Sequence, residues 1–281
     1  MWDIENLVFK GGGVLGVAYA GAIEVLEKKG VLKKIKRVSG TSVGSVIAIL
    51  VALKYNSKEI KDILKYTNLK DFEDNLNPLK ITTKYGLYDG DVLLNWIKGL
   101  IKKKTGNENT TFAEMNSNEY LDLKVYSTDL TDAKLKEFSN KCTPNVIVAE
   151  SIRASISIPL VFSAWKFTNK IPDDHLYVDG GVLNNYPINS FEELDKTLGF
   201  FLEIKEDNES LEYNEFNKYL EQLFKILMQN QTTSFLANQK QVDATIFIKN
   251  LGISSTNFKL TEKEKTALFN EGVKSTIKYF R

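Results

Sequence analysis

The chain has 281 residues, enough to bury a substantial core in one domain, or in one domain with an extension. A formal net charge of +1 removes any bulk-charge argument for nucleic acid. The single cysteine, Cys142, excludes an intramolecular disulfide, and the single histidine, His175, leaves a histidine-dependent mechanism one residue to use.

Residues 4–10 read as a strand and run straight into Gly11-Gly12-Gly13-Val14-Leu15-Gly16, which opens a helical run over 15–29. Consecutive glycines let backbone N–H groups converge on one point, and a helix N-terminus behind them adds partial positive charge. Such a pocket suits a phosphate or a developing oxyanion. Gly11, Gly13 and Gly16 also spell the G-x-G-x-x-G dinucleotide fingerprint, which expects an acidic residue at the end of the next strand. That strand, 35–39, ends in Ser39-Gly40-Thr41-Ser42 without a carboxylate, which argues against a dinucleotide.

Gly40-Thr41-Ser42-Val43-Gly44 reads G-x-S-x-G between strand 35–39 and an apolar helical run, 43–55. This is the context of a nucleophile elbow, where a serine on a sharp strand-to-helix turn projects its Oγ and the flanking glycines keep side chains out of the turn. Residues 57–104 look mostly helical with a break at 75–78. Within them, 91–104 carries Val92, Leu93, Trp96, Ile97, Leu100 and Ile101 at helical spacing beside Lys98 and Lys102 to Lys104. That pattern fits a helix covering the core and also an interfacial helix. Strands are expected at 121–127 and 135–139, and a short helix at 146–154 whose Arg153 is read as a surface cap or ion-pair partner, with a place facing the site as the alternative. A strand at 176–179 then ends in Asp179-Gly180-Gly181. Further strands at 200–204 and 245–248, an acidic loop at 203–209, and helices at 213–240 and 262–280 complete the pass. The alternation implies an α/β fold, a central mostly parallel sheet flanked by helices.

A serine without histidine needs another base. His175 precedes Asp179 by four residues, ~13 Å in extended chain, so the two are not adjacent members of one triad. The simple reading of His175 is an exposed strand-start residue beside Asp173 and Asp174, with a pairing to an earlier acid such as Asp129 left open. Asp179, exposed by its two glycines at the end of an apolar run, is the alternative base. Tyr177, Val178, Val182 and Leu183 are expected to wall it off from water and raise its pKa. No metal-ligand spacing is visible.

These pieces together resemble the patatin-like phospholipases, which carry G-G-G-x-x-G, G-x-S-x-G and D-G-[GA] in that order. The block Ala154-Ser155-Ile156-Ser157-Ile158-Pro159-Leu160-Val161-Phe162 and the segment Val182 to Pro187 extend the likeness, which covers roughly residues 4–190. The resemblance implies a three-layer α/β/α catalytic domain filling 1–281, with the part beyond the motifs a C-terminal extension of it. It implies a serine lipid acyl hydrolase acting on phospholipids or related lipids at a membrane or micelle surface. Ser42 would be the nucleophile and Asp179 its base. Gly11, Gly12, Gly13 and Val14 would form the oxyanion hole, and Gly40, Gly44, Gly180 and Gly181 the elbow and turn glycines. No metal or organic cofactor is implied. Leu15 stands where many members have a cation. The same dyad would serve an acyltransferase, and a non-catalytic protein binding nucleotide or lipid phosphate is the remaining alternative. The longest apolar run, 46–53, is far below the ~20 residues that span a bilayer, and the start of the chain lacks a signal-peptide pattern. The expected location is cytoplasmic, at most peripheral at membranes.

Overall fold

The computed structural model describes residues 3–117, 120–203, 222–223, 226 and 231–281. Strand β1 (Asn6–Phe9) leads through the glycine run and a short 3-10 turn into α1 (Val17–Lys28); β2 (Arg37–Thr41) leads directly into α2 (Val43–Ala52). Both strands are buried along almost their whole length, as strands covered by helices on two faces require. Helix α3 (Ser57–Tyr66) starts with a reciprocal capping box between Asn56 and Glu59. Then come β3 (Gly86–Tyr88), α4 (Asp91–Thr105), α5 (Phe112–Ser117), β4 (Asp122–Asp129), β5 (Lys134–Ser139) and α6 (Val148–Ser155). Strands β6 (Leu160–Phe162) and β7 (Tyr177–Asp179), the single turn α7 (Gly181–Asn184), β8 (Thr197–Glu203) and β9 (Thr245–Lys249) precede a long final helix, Glu262–Tyr279.

The main sheet has the order β5-β4-β2-β1-β8-β9, with β7 also on β4. Strands β4, β2, β1, β8 and β9 are parallel, whereas β5 and β7 run antiparallel to β4. One detail of register sets up the functional site. Strand β2 pairs with β4 only as far as Thr41 opposite Tyr126; β7 takes over at Asp179 opposite Ser127. Strand β5 occupies the other edge of β4 over this stretch, so β2 and β7 meet end to end along one edge. Residue 42 and residue 179 are thereby delivered to the same place.

Two short elements differ from the sequence expectation. Strands β3 and β6 form a separate parallel pair, in a stretch expected to be helical and in the Ala154–Phe162 block, respectively. Three residues are too few to show a period, so nothing local marked them. The helix expected at 213–240 and the acidic loop at 203–209 fall largely outside the described residues, although 231–236 are helical. Helix α4 turns Leu93, Leu94, Ile97 and Ile101 into the core, with Trp96 and Leu100 packed against it. Most of its apolar face is therefore used by the fold, and of the six apolar residues named from the sequence only Val92 is exposed. Among the described residues no helix is long and apolar enough to cross a membrane.

Strand β9 and the final helix share this core. The final helix lies so close to α1 that a Cβ on Gly21 would sit 2.0 Å from the Phe269 carbonyl oxygen, and one on Gly272 would sit 1.9 Å from that of Ala18. Gly21→Val should therefore force the two helices apart and lower the unfolding free energy by about 1–3 kcal/mol or more. A urea midpoint unchanged from wild type would contradict this packing.

Candidate active site

Ser42 follows the last residue of β2 and precedes the first of α2. Its backbone sits at φ 53°, ψ −130°, a strained conformation for a residue with a Cβ. The surroundings hold it there. A Cβ on Gly40 would lie 2.2 Å from the Gly44 carbonyl oxygen, and one on Gly44 would lie 2.2 Å from that of Phe9, so both flanking positions admit only glycine. The Ser42 N–H donates to Ser155 Oγ (2.8 Å), which itself donates to the Tyr126 carbonyl (2.6 Å). The Ser42 carbonyl accepts from Ser45 Oγ at 2.6 Å. Both backbone polar groups of the strained residue are thus satisfied from outside the turn.

Asp179 ends β7 and is buried. Its N–H donates to the Ser157 carbonyl (2.9 Å) and its carbonyl accepts from Thr128 Oγ1 (3.0 Å). Its carboxylate accepts the Gly181 N–H at 2.7 Å, and the Ser42 side chain is near enough to favour its ionised form. Burial pushes its pKa from 3.8 up to about 7, against the opposing effect of Ser42 and the Gly181 N–H. The turn is as tight as the elbow: a Cβ on Gly180 would lie 2.3 Å from the Tyr126 carbonyl oxygen, while Gly181 supplies the N–H just described. The wall around the carboxylate is only partly the one expected. Tyr177 and Val178 are buried, but Leu183 is 45% exposed. Ser127, directly across β4 from Asp179, is fully buried with its Oγ lacking a partner among the described residues.

Helix α6 and the turn after it touch both halves of this pair. Ser155 holds the Ser42 backbone and Ser157 holds the Asp179 backbone. Arg153, expected on a surface, is instead completely buried. Its guanidinium donates to the carbonyls of Asp89 (2.6 Å), Gly90 (3.1 Å) and Ser163 (3.1 Å) and to Ser157 Oγ (2.7 Å), with Phe162 and Trp165 ring faces nearby. It ties α6 to the β3–α4 junction and braces the segment that holds the Ser42 and Asp179 backbones. One signal for this is visible in the sequence, the Ala154–Phe162 block itself, but nothing in it indicates what its serines bind.

The glycine run passes beside Ser42. A Cβ on Gly11 would lie 3.2 Å from Ser42 Cβ and 2.2 Å from Asn185 Oδ1. Gly13 takes φ +54° and leaves no room for a side chain, since a Cβ would meet the Ser255 carbonyl oxygen at 2.0 Å. Of the four N–H groups expected to converge here, two are already used. That of Gly11 donates to the Asn185 carbonyl and that of Val14 to the Ser255 carbonyl, each at 2.9 Å. Those of Gly12 and Gly13 have no acceptor among the described residues. Leu15 is fully buried in the core, which accounts for an apolar residue at that position.

His175 takes the alternative that the sequence left open. Its Nδ1 lies 2.8 Å from Oδ2 of the fully buried Asp129, and this bond raises its pKa. Asp129 is opposite Tyr177 in the sheet, two residues further from the β2 end than Asp179. The pair ties β7 to β4, and no hydrogen bond joins His175 to Ser42 among the described residues. Asp132 joins it to bring three ligand-type atoms within 4.8 Å of one another, a grouping that sequence spacing did not show. Asp132 is also hydrogen-bonded to Lys134.

Comparison with known proteins agrees with this architecture. The patatin-like phospholipase family model matches residues 7–192, and the chain belongs to that family. It is 33% identical over 284 residues to an uncharacterised protein of Acanthamoeba polyphaga mimivirus, covering 97% of this chain and 92% of the relative. It is 31% identical over 186 residues to a probable lipid hydrolase of Invertebrate iridescent virus 6, covering 66% of this chain and 62% of the relative. The fold is similar to that of VipD from Legionella pneumophila, with a TM-score of 0.63 and 18% identity over 99% of this chain and 66% of that one.

The raised pKa of Asp179 makes a stability prediction. Between its unfolded value of 3.8 and its folded value of about 7, the folded protein binds the extra proton, so stability falls as pH rises through that window. Above it, the buried charge costs up to about 4 kcal/mol. Asp179→Asn, which keeps the shape without the charge, should melt at a higher temperature than wild type at pH 8, and the gap should close toward pH 4. An equal or lower melting temperature at pH 8 would contradict the burial of a charged carboxylate.

Proposed function

We propose that this protein hydrolyses fatty acyl ester bonds of phospholipids or related lipids, with Ser42 as nucleophile and Asp179 as its general base. The observation that carries the reading is the meeting of the strained Ser42, just after β2, with the buried Asp179 at the end of β7, a carboxyl that burial pushes up to a pKa of about 7. A base with that pKa is half ionised at neutral pH and far better matched to a hydroxyl proton than a free aspartate. Family membership and the name of the iridoviral relative support a lipid ester as substrate.

In the proposed cycle Ser42 Oγ attacks the acyl carbonyl carbon while its proton passes to Asp179. The oxyanion of the tetrahedral intermediate accepts hydrogen bonds from the N–H groups of Gly12 and Gly13, the two donors in the run not otherwise engaged. Collapse expels the lipid alcohol, which takes the proton from Asp179. Water then attacks the acyl-serine, gives its proton to Asp179, and releases the fatty acid as that proton returns to Ser42. Residues 1–281 would act as one catalytic domain, because β8, β9 and the final helix complete the sheet and core that position the dyad. Lipid presented at a membrane or micelle surface is the proposed substrate form.

A fluorophosphonate probe should label Ser42. Ser42→Ala should abolish labelling and lower kcat by about 10⁴-fold or more, Asp179→Asn should cause a loss of similar order, and His175→Ala should retain most activity. Labelling at Ser45 or Ser155, or collapse of activity in a folded His175→Ala protein, would overturn the assignment.

A further inference from the structure

Beside the dyad lies a second polar feature that the proposed mechanism does not use. A cavity of about 230 Å³ is lined by Lys10, Asn184, Asn185, Phe201 and Gln231, with Leu183 on its wall. It adjoins the nucleophile: the point above Gly11 that is 2.2 Å from Asn185 Oδ1 is also 3.2 Å from Ser42 Cβ. It sits at the carboxyl ends of β1 and β8. The connection from β1 runs to β2 on the other side, so this is the crevice where strand order reverses and where open α/β sheets receive ligands.

Lys10 is the residue that gives the cavity its chemistry. It is 4% exposed, yet no carboxylate pairs with it among the described residues. Its Nζ reaches only the carbonyls of Leu202 (3.3 Å) and Gly11 (3.4 Å), both at the long limit of a hydrogen bond, and lies 4.6 Å from the Phe201 ring centre. A buried ammonium without a counter-charge is unfavourable unless something pairs with it. Burial alone lowers its pKa to about 8, which leaves it mostly protonated at neutral pH and ready to gain from an anion. The Asn185 side chain faces the same space, and the Gln231 amide is fixed beside it by bonds to the Gly181 and Val182 carbonyls and from the Asn185 N–H. One cation with amides around it, in a volume of this size, matches a phosphate ester with a small polar substituent.

We propose that this cavity is a phosphate subsite, in which Lys10 binds the phosphate of a glycerophospholipid head group while the ester to be cleaved lies at Ser42. The catalytic part of this proposal rests on the lipid hydrolase reading above; the binding part does not. Phosphate from a lipid and free phosphate share the same chemistry, so the test uses both.

Glycerol 3-phosphate and inorganic phosphate are titrated separately into wild type, Ser42→Ala, Lys10→Met and Leu183→Glu by calorimetry. Hydrolysis of phosphatidylglycerol and of diacylglycerol is compared in mixed micelles. Glycerol 3-phosphate should bind wild type and Ser42→Ala more tightly than inorganic phosphate does. Lys10→Met should weaken it by about tenfold or more. Leu183→Glu, at an exposed position on the wall, should weaken it through repulsion without disturbing the core, and it carries the test should Lys10→Met fail to fold. In both variants the ratio of phosphatidylglycerol to diacylglycerol turnover should fall. Absence of glycerol 3-phosphate binding to wild type, or binding indifferent to both substitutions, would overturn the subsite. Preference for inorganic phosphate with an unchanged turnover ratio would overturn the head-group assignment. Loss of hydrolysis from neither lipid in Ser42→Ala would instead defeat the dyad reading and leave the binding result standing.

Discussion

The site depends on one contact made in a dry place, between the Ser42 side chain and the Asp179 carboxylate. In water such a contact would do little, because a free aspartate is a weak base at neutral pH. Here burial raises the pKa of the acid to about 7, and no neighbouring cation opposes the rise. The fold must therefore exclude solvent from a charged group and hold it against a hydroxyl at the same time. It does so by placing the ends of β2 and β7 against consecutive residues of β4, Tyr126 and Ser127. A parallel strand arriving from one direction and an antiparallel strand from the other can meet only at their tips, and each tip carries one member of the pair.

Strain and burial are both unfavourable, so the surrounding structure has to outweigh them. The strained Ser42 backbone is held by Ser155 and Ser45, and the Asp179 backbone by Ser157 and Thr128. Ser155 and Ser157 belong to α6 and its following turn, which Arg153 anchors by hydrogen bonds to the Asp89 and Gly90 carbonyls in a different part of the chain, while also bonding Ser157 and Ser163. Glycines at 40, 44 and 180 let main chains approach where any Cβ would collide with a carbonyl oxygen. Geometry at the site is thus set mainly by main-chain contacts and small hydroxyls, which have few rotamers to lose on folding.

This division explains what could be read in the sequence. Strand–elbow–helix and strand–Asp-Gly-Gly are local patterns: their glycines and their position between apolar runs follow from chain geometry within a few residues, so Ser42, Asp179 and the α/β alternation were visible. Contacts made across long sequence separations were not. The glycine run reads as four equivalent donors, but Asn185 and Ser255, far along the chain, supply carbonyls that occupy the N–H groups of Gly11 and Val14. Arg153 looks like a surface residue because its partners are backbone carbonyls, which leave no mark in composition. His175 reads most simply as an exposed strand-start residue with a pairing to Asp129 left open, because only the antiparallel pairing of β7 with β4 brings Asp129 beside it. Lys10 was hidden for the same reason, since only the neighbouring β8 shows that its ammonium is buried.

The charge state of the Asp179 carboxyl can be observed without a substrate. Protein labelled with ¹³C at aspartate carboxyls, assigned through the Asp179→Asn variant, allows the Asp179 resonance to be followed by NMR across the pH range in which the fold persists. Its titration midpoint should lie at about 7. A midpoint near the ordinary aspartate value of ~3.9 would contradict it, because the carboxylate would then be solvated and the Ser42 contact would lack the dry surroundings on which its basicity rests.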